Sequence, residues 1–242
     1  TATVKDLFGQ TLTISRLLTV ELDLPANFES QRAQINATIL NFNKTLKSLG
    51  VNYTQLTPFD GNRWGKTTLT YSVANPTTVY HASDGDLTYQ QIWEAAAYNW
   101  NAGLKILGSN ITLQETTGNA DIPGVIEFDP GSKNLGGTGV YGIFSINNKF
   151  VPGVGKITLF GTSMDSQRYT RGQIISVLMH EMGHALGLWH SPSINSVMWF
   201  AAASQMVQPA DVLSVMLESQ LPAGLTSHII GLDDYSNGVD NV

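Results

Sequence analysis

Three of the five histidines in this 242-residue chain lie within the eleven residues HEMGHALGLWH, at positions 180, 184 and 190. His180 and His184 are four residues apart, so on a helix both imidazoles lie on one face, about one turn apart, and can bind a single ion. Gly187 can adopt the left-handed conformation that ends a helix, which would return His190 to the same ion. The spacing therefore predicts a helix, a turn and one metal site.

The residue types in this motif indicate which metal and which chemistry. Three neutral imidazoles suit Zn²⁺ and leave its fourth position to water, as in catalytic rather than closed structural sites. Glu181 follows His180 directly, and its carboxylate can reach that water as a general base without ligating the metal. The alternative is a chance pattern of ordinary histidines on a core helix, with odds of about one in a hundred thousand for the full H-E-x-x-H-x-x-G-x-x-H spacing.

The composition limits the class of protein in which this site can lie. Hydrophobic residues make up 42% of the chain and charged residues 13%, which favours a folded protein, and no apolar run is long enough to span a membrane. A net charge of −6 without a cluster of Lys and Arg argues against a nucleic-acid partner. The absence of cysteine excludes disulfides, thiolate metal ligands and cysteine nucleophiles. Low charge with many Thr, Asn, Ser and Gly residues favours a secreted, extracellular protein.

Two regions differ in their hydrophobic pattern. Residues 1–62 are expected to form an N-terminal accessory or pro-like region, and residues 63–242 the catalytic domain. Within the first region, apolar residues recur at helical spacing before Gly50, which is expected to end the helix. These apolar residues are Ile35, Ile39, Phe42 and Leu46.

The second region alternates strands with helices, which predicts an α+β fold (a mixed α/β architecture) with helices packed on one sheet. Thr170 and Gln173 form a capping box, so the helix of the histidine motif should begin near Arg171. Glycines in residues 129–139 indicate an exposed loop. The other predicted elements are a helix at 87–104, a helix after Pro209, and strands at 67–73, 111–116, 124–128, 139–146 and 156–161.

The motif HEMGHALGLWH resembles the long zinc motif of the metzincin metallopeptidases, and Met198 in SINSVMW matches their methionine turn. Met198 could otherwise be a plain core residue. Ser191 after the third histidine, and Phe200 where astacins and serralysins carry a zinc-binding Tyr, favour the matrixins among the metzincins. The resemblance implies a twisted mixed sheet, an active-site helix and a C-terminal subdomain. It also implies a monomeric zinc-dependent endopeptidase that acts on proteins or peptides, with substrate extended along an edge strand, which we expect at 139–146.

Several departures from the matrixins shape further expectations. Residues 82–179 contain no histidine, so we predict one zinc and no second, structural zinc. Calcium is a further candidate cofactor, although isolated carboxylates are more often solvated surface. Its candidate ligands are Asp121, Asp129 and Asp165. The cysteine switch of latent matrixins is impossible here, so either Asp60 or Asp23 replaces it or residues 1–62 are simply an accessory domain.

Two other questions stay open at this stage. The helix after Pro209 could line a deep apolar pocket for substrate or could only pack on the core. His81 and His228 lack a spaced partner and are expected to be surface or hydrogen-bonded residues rather than ligands.

Two other functions compete with the endopeptidase. One is a catalytically silent metzincin-fold module for protein binding or adhesion, but the ligands and Glu181 are all intact. The other is a zinc hydrolase such as an aminopeptidase, which would need an acidic cluster to bind a free amine, and the motif region shows none.

Overall fold

A computed structural model describes most of residues 63–242, the predicted catalytic region, and parts of residues 1–62, the N-terminal region. The described residues are 22–61, 63–126, 169–200 and 206–232, together with strands at 2–5, 11–14, 136–140, 143–146, 149–152 and 156–160. Asp129 and Asp165, two of the candidate calcium ligands, lie outside these ranges.

The N-terminal hairpin and helix precede the main sheet. Strands β1 (Ala2–Lys5) and β2 (Thr11–Ile14) pair antiparallel. Helix α1 (Arg32–Leu49) buries Ile35, Phe42 and Leu46 on one face. Gly50, at φ +69°, ends the helix, and its N–H bonds to the carbonyls of Leu46 and Lys47. The predicted helix and its glycine stop are confirmed.

A mostly parallel sheet forms the centre of the catalytic region. Among the described residues it has five strands, which are β3 (Thr68–Val73), β6 (Thr112–Glu115), β7 (Ile122–Ile126), β8 (Gly136–Val140) and β11 (Lys156–Phe160). Their order is β6-β3-β7-β11-β8, and all neighbours are parallel except the antiparallel pair of β8 and β11. Two hairpins accompany the sheet, β4 (Val79–Ala82) with β5 (Gly85–Thr88), and β9 (Ile143–Ile146) with β10 (Lys149–Pro152). The expected mixed α/β fold is confirmed.

The predicted single edge strand at 139–146 is wrong in its bounds. The strand at the end of the sheet order is Gly136–Val140, and Ile143–Ile146 pairs instead with Lys149–Pro152. The glycines at 136, 137 and 139 predict a loop, because glycine has a weak strand propensity. Pairing with β11 nevertheless supplies backbone hydrogen bonds that hold these residues in a strand. Residues 129–135 of the predicted loop lie outside the described residues.

Two helices pack on this sheet and on each other, and a third packs on the first of them. Helix α2 (Tyr89–Ile106) begins at a Thr88–Gln91 capping box, and helix α3 (Arg171–Ala185) carries the first two histidines. The Trp100 indole N–H donates to the carbonyl of Met179 at 2.9 Å, which joins the two helices. Helix α4 (Pro209–Gln220) follows, and its apolar residues Val212, Leu213 and Leu217 are buried. None of the helices that the structure describes could cross a membrane.

Residues 56–61 are built into the catalytic region. Phe59 forms a β-bridge with Leu188, inside the histidine motif, and its backbone exchanges hydrogen bonds with Ser227. Leu56, Thr57 and Phe59 are each at most 1% exposed. This segment therefore packs between the histidine motif and the C-terminal residues, while the boundary at residue 62 stays a prediction.

Candidate metal centre

The histidine-bearing helix is fixed at its first turn. Thr170 and Gln173 form the predicted capping box, with each side chain bonded to the other's backbone N–H. The Asp84 carboxylate, at the tip of the β4–β5 hairpin, accepts the Arg171 N–H at 2.7 Å and also pairs with the Arg171 guanidinium. The Arg171 backbone hydrogen bond is the main reason that the pKa of Asp84 lies below its ordinary value. A negative charge at a helix N-terminus is favoured by the helix dipole.

Gly187 makes the turn that brings the third histidine back. Helix α3 ends at Ala185, and Gly187 follows with φ +100°, a region that L side chains rarely adopt. A Cβ at this position would also overlap the buried Glu218 carboxylate, whose Oε1 lies 2.7 Å away. Both the conformation and the space therefore require glycine.

The three histidines converge in the described structure as their spacing predicts. One ring nitrogen from each lies within 4.8 Å of the others. The ring centroids of His180 and His184 are 4.7 Å apart, and those of His184 and His190 are 5.0 Å apart. His180 and His190 are buried, and His184 is partly buried. This is the one group of three or more metal-binding side chains among the described residues.

Hydrogen bonds to backbone carbonyls fix the protonation of two of these rings. Nδ1 of His180 donates to the Val197 carbonyl, and Nδ1 of His184 donates to the Leu188 carbonyl, both at 2.7 Å. A carbonyl can only accept, so each neutral ring carries its proton on Nδ1 and presents a bare Nε2. The two Nε2 atoms face each other at 3.0 Å. Two lone pairs at this distance repel unless a cation binds both, so the donor set fits zinc, whose tetrahedral ligands lie about 3.3 Å apart.

Glu181 is the one acidic residue within the motif. It follows His180 on α3, and its side chain is fully buried, at 0% exposed. Glu181 is therefore adjacent to a candidate ligand in sequence and is not itself a member of the histidine group.

Met198 lies directly beneath the histidine helix. It is fully buried, and its sulfur fills the space that a Cβ of Gly183 would need. The turn that carries Met198 is closed by the Ser191 N–H, which donates to the Met198 carbonyl at 2.7 Å. A side chain at position 183 would push helix α3 away from Met198.

A buried carboxylate holds the same turn from the other side. Asp211, on the first turn of α4, is 0% exposed and accepts the hydroxyls of Thr57 and Ser196 at 2.5 Å each. Burial raises the pKa of Asp211 above its ordinary value, and the hydrogen bonds from Ser196, Thr57 and Gln208 offset this in part. The Ser196 hydroxyl also accepts the Met198 N–H at 2.8 Å. Sequence reasoning missed Asp211, whose signal was a carboxylate in the first turn of a helix with an apolar face.

The other predicted acidic residues lie outside the histidine group. Neither Asp60 nor Asp23 belongs to it, and the Asp60 backbone N–H bonds to the Gly187 carbonyl instead. Asp121 accepts hydrogen bonds from Lys66 and from the amide and hydroxyl of Thr70.

The two lone histidines also lie apart from the group. His81 lies 3.0 Å from an Asp86 oxygen on the β4–β5 hairpin, and His228 is exposed.

This fold and this site together define a metzincin-type zinc peptidase domain. The sequence model of the Matrixin family of peptidases matches residues 63–213, and the histidine group fits the zinc motif of that family. The chain therefore belongs to the matrixin family. A search of curated proteins finds no match.

Proposed function

We propose that this chain is a secreted zinc endopeptidase that cleaves internal peptide bonds of proteins or peptides, with Glu181 as its general base. The matrixin domain and its three-histidine group support a metallopeptidase. The observation that carries the proposal is the convergence of one ring nitrogen from each of the three histidines within 4.8 Å, with the Nδ1 protons of two of them donated to backbone carbonyls.

In this proposal His180, His184 and His190 hold the metal. A bound zinc ion would acidify its water towards a pKa of about 7 and polarise the scissile carbonyl. The backbone carbonyls of Val197 and Leu188 keep two of the imidazoles in the ligating tautomer and raise their basicity.

Glu181 moves the proton. Its carboxylate accepts a proton from the attacking water and later passes it to the leaving amine nitrogen, so no residue of the chain becomes covalently attached to the substrate. The residue follows His180 on a buried, capped helix, which supports this role because it holds the two backbones in one rigid element.

The sheet edge supplies a substrate platform. Strand Gly136–Val140 is at the end of the strand order and has β11 on one side only among the described residues. An extended peptide can add to such an edge through main-chain hydrogen bonds, which tolerate many side chains. Substrate preference then depends on the side chains around the histidines.

A peptide library tests the proposal. The parent chain and Glu181→Gln are each loaded with zinc, their metal content is measured, and products are read by mass spectrometry. We expect internal cuts by the parent and a loss of at least 100-fold in Glu181→Gln with zinc retained. His81→Ala, outside the histidine group, is the control and should cleave normally.

Three outcomes would contradict the proposal. Cleavage confined to N-terminal residues would indicate an aminopeptidase. Bound zinc without any cleavage would favour a silent binding module. Cleavage by Glu181→Gln at the parent rate would remove Glu181 from the general-base role.

A further inference from the structure

Trp189 is the one residue of the zinc motif with a large exposed apolar side chain. Its side chain is 39% exposed, whereas its neighbours Leu188 and His190 are 2% and 1% exposed. The backbone is held firmly, because the Trp189 N–H donates to the Pro58 carbonyl at 2.7 Å. The exposed side chain therefore belongs to a residue whose backbone is hydrogen-bonded and not to a loosely held segment.

The indole lies at the rim of the metal centre. Its ring centroid is 6.5 Å from that of His184 and 6.5 Å from that of His190, with interplanar angles of 72° and 64°. An edge of Trp189 thus packs on two of the three candidate ligands, while part of the ring faces solvent. A peptide whose scissile bond is at the metal would have a neighbouring side chain within reach of this ring.

The sequence stretch around Trp189 favours one chemistry for that side chain. Residues 182–200 contain no Asp, Glu, Lys or Arg, so this stretch offers no charge for an ionic side chain to pair with. A large aromatic ring with an open face gains most from stacking with another aromatic ring and from apolar contact.

We infer that Trp189 forms a subsite that binds an aromatic side chain of the substrate next to the scissile bond. The inference rests on the proposed peptidase function and adds a preference to it. Trp189 is a specificity residue in this scheme, since it contacts substrate but takes no part in proton transfer. Edge-to-face or offset stacking adds to the apolar contact and makes Phe better than a small polar residue.

Peptide binding to an inert chain tests the inference separately from catalysis. In a zinc-loaded Glu181→Gln background, calorimetry measures the affinity for capped Ala/Gln decapeptides that carry a single Phe at each position in turn. We expect Phe at one position to bind about 5- to 10-fold tighter than Ala at that position. Trp189→Ala should abolish this ratio, and Trp189→Phe should keep most of it.

A matched control separates the subsite from general apolar contact. Tyr98 on α2 is 73% exposed, and Tyr98→Ala should leave every affinity ratio unchanged. Zinc content and melting temperature are measured for each variant. If Trp189→Ala retains the Phe preference, or if the background chain shows equal affinities for Phe and Ala at all positions, the inference is overturned.

The outcomes also distinguish this inference from the proposed function. A parent chain that cleaves nothing, combined with a Trp189-dependent Phe preference in binding, would reject the peptidase and keep the subsite. Cleavage by the parent chain, combined with a Phe preference that does not depend on Trp189, would support the peptidase and reject the subsite. Loss of zinc in Trp189→Ala, with the Phe preference restored at saturating zinc, would show that the ring supports His184 and overturn the specificity role.

Discussion

The Ser196 hydroxyl donates a 2.5 Å hydrogen bond to the buried carboxylate of Asp211. The same hydroxyl accepts the Met198 N–H, and the intervening Val197 carbonyl accepts Nδ1–H of His180. A carboxylate on α4 thus holds the turn that orients a candidate zinc ligand, and Thr57 joins the N-terminal segment to the same carboxylate.

Ser196→Ala should destabilise the protein by about 1–3 kcal/mol, because it removes a donor from a buried carboxylate and an acceptor from the Met198 N–H. Urea unfolding measures the change in the free energy of unfolding. Zinc affinity should also fall, since the Val197 carbonyl loses its anchor. Thr117→Ala, an exposed hydroxyl, is the control and should be neutral. A wild-type free energy of unfolding in Ser196→Ala would show that this network adds nothing to stability.

Gly187→Ala should cost about 2 kcal/mol or more, because it combines a positive φ with a contact at the Glu218 carboxylate. Gly50→Ala is a matched comparison, since Gly50 also has positive φ but open space around its Cβ. It should cost only about 1 kcal/mol. Urea unfolding of both variants separates strain from steric overlap, and equal losses would mean that Glu218 yields without cost.

The Asp84 contact with the Arg171 N–H should make stability depend on pH in the acid range. Its pKa is lowered in the folded protein, so its contribution is present above the unfolded value of 3.8 and is lost as pH falls through the folded pKa. Unfolding of the metal-free chain between pH 5 and 2, followed by circular dichroism, tests this without histidine–zinc competition. Asp84→Asn should flatten the pH curve in that range relative to the parent.

Zinc should stabilise the folded chain in proportion to its affinity. At about 100 times the dissociation constant, binding adds about 2.7 kcal/mol, or roughly 5 to 10 °C in melting temperature for a domain of this size. EDTA should remove this increment from the parent. Zinc should not stabilise His190→Ala in this way, because one of the three converging nitrogens is gone. In His81→Ala the stabilisation by zinc should be the same as in the parent. An unchanged zinc affinity in His190→Ala would reject the three-histidine site.

Local patterns predicted the helices well. The capping box at Thr170 and the stop at Gly50 depend on residues at or near the helix ends, so they can be read without knowing the fold. Strand Gly136–Val140 could not be read in this way, because its glycines are held in place by a partner strand about twenty residues later in the chain.

The sequence by itself determined the ligand types, their spacing and the glycine that turns the chain, because a helix places i and i+4 on one face whatever surrounds it. Only the tertiary structure decided which ring nitrogen of His180 and His184 carries the proton and that Met198 contacts Gly183. It also decided that the hydroxyls of Thr57 and Ser196 both donate hydrogen bonds to Asp211. These features join residues up to 154 positions apart, and no local spacing encodes such contacts. Burial gives them their strength, because a buried polar group must find a partner within the folded chain.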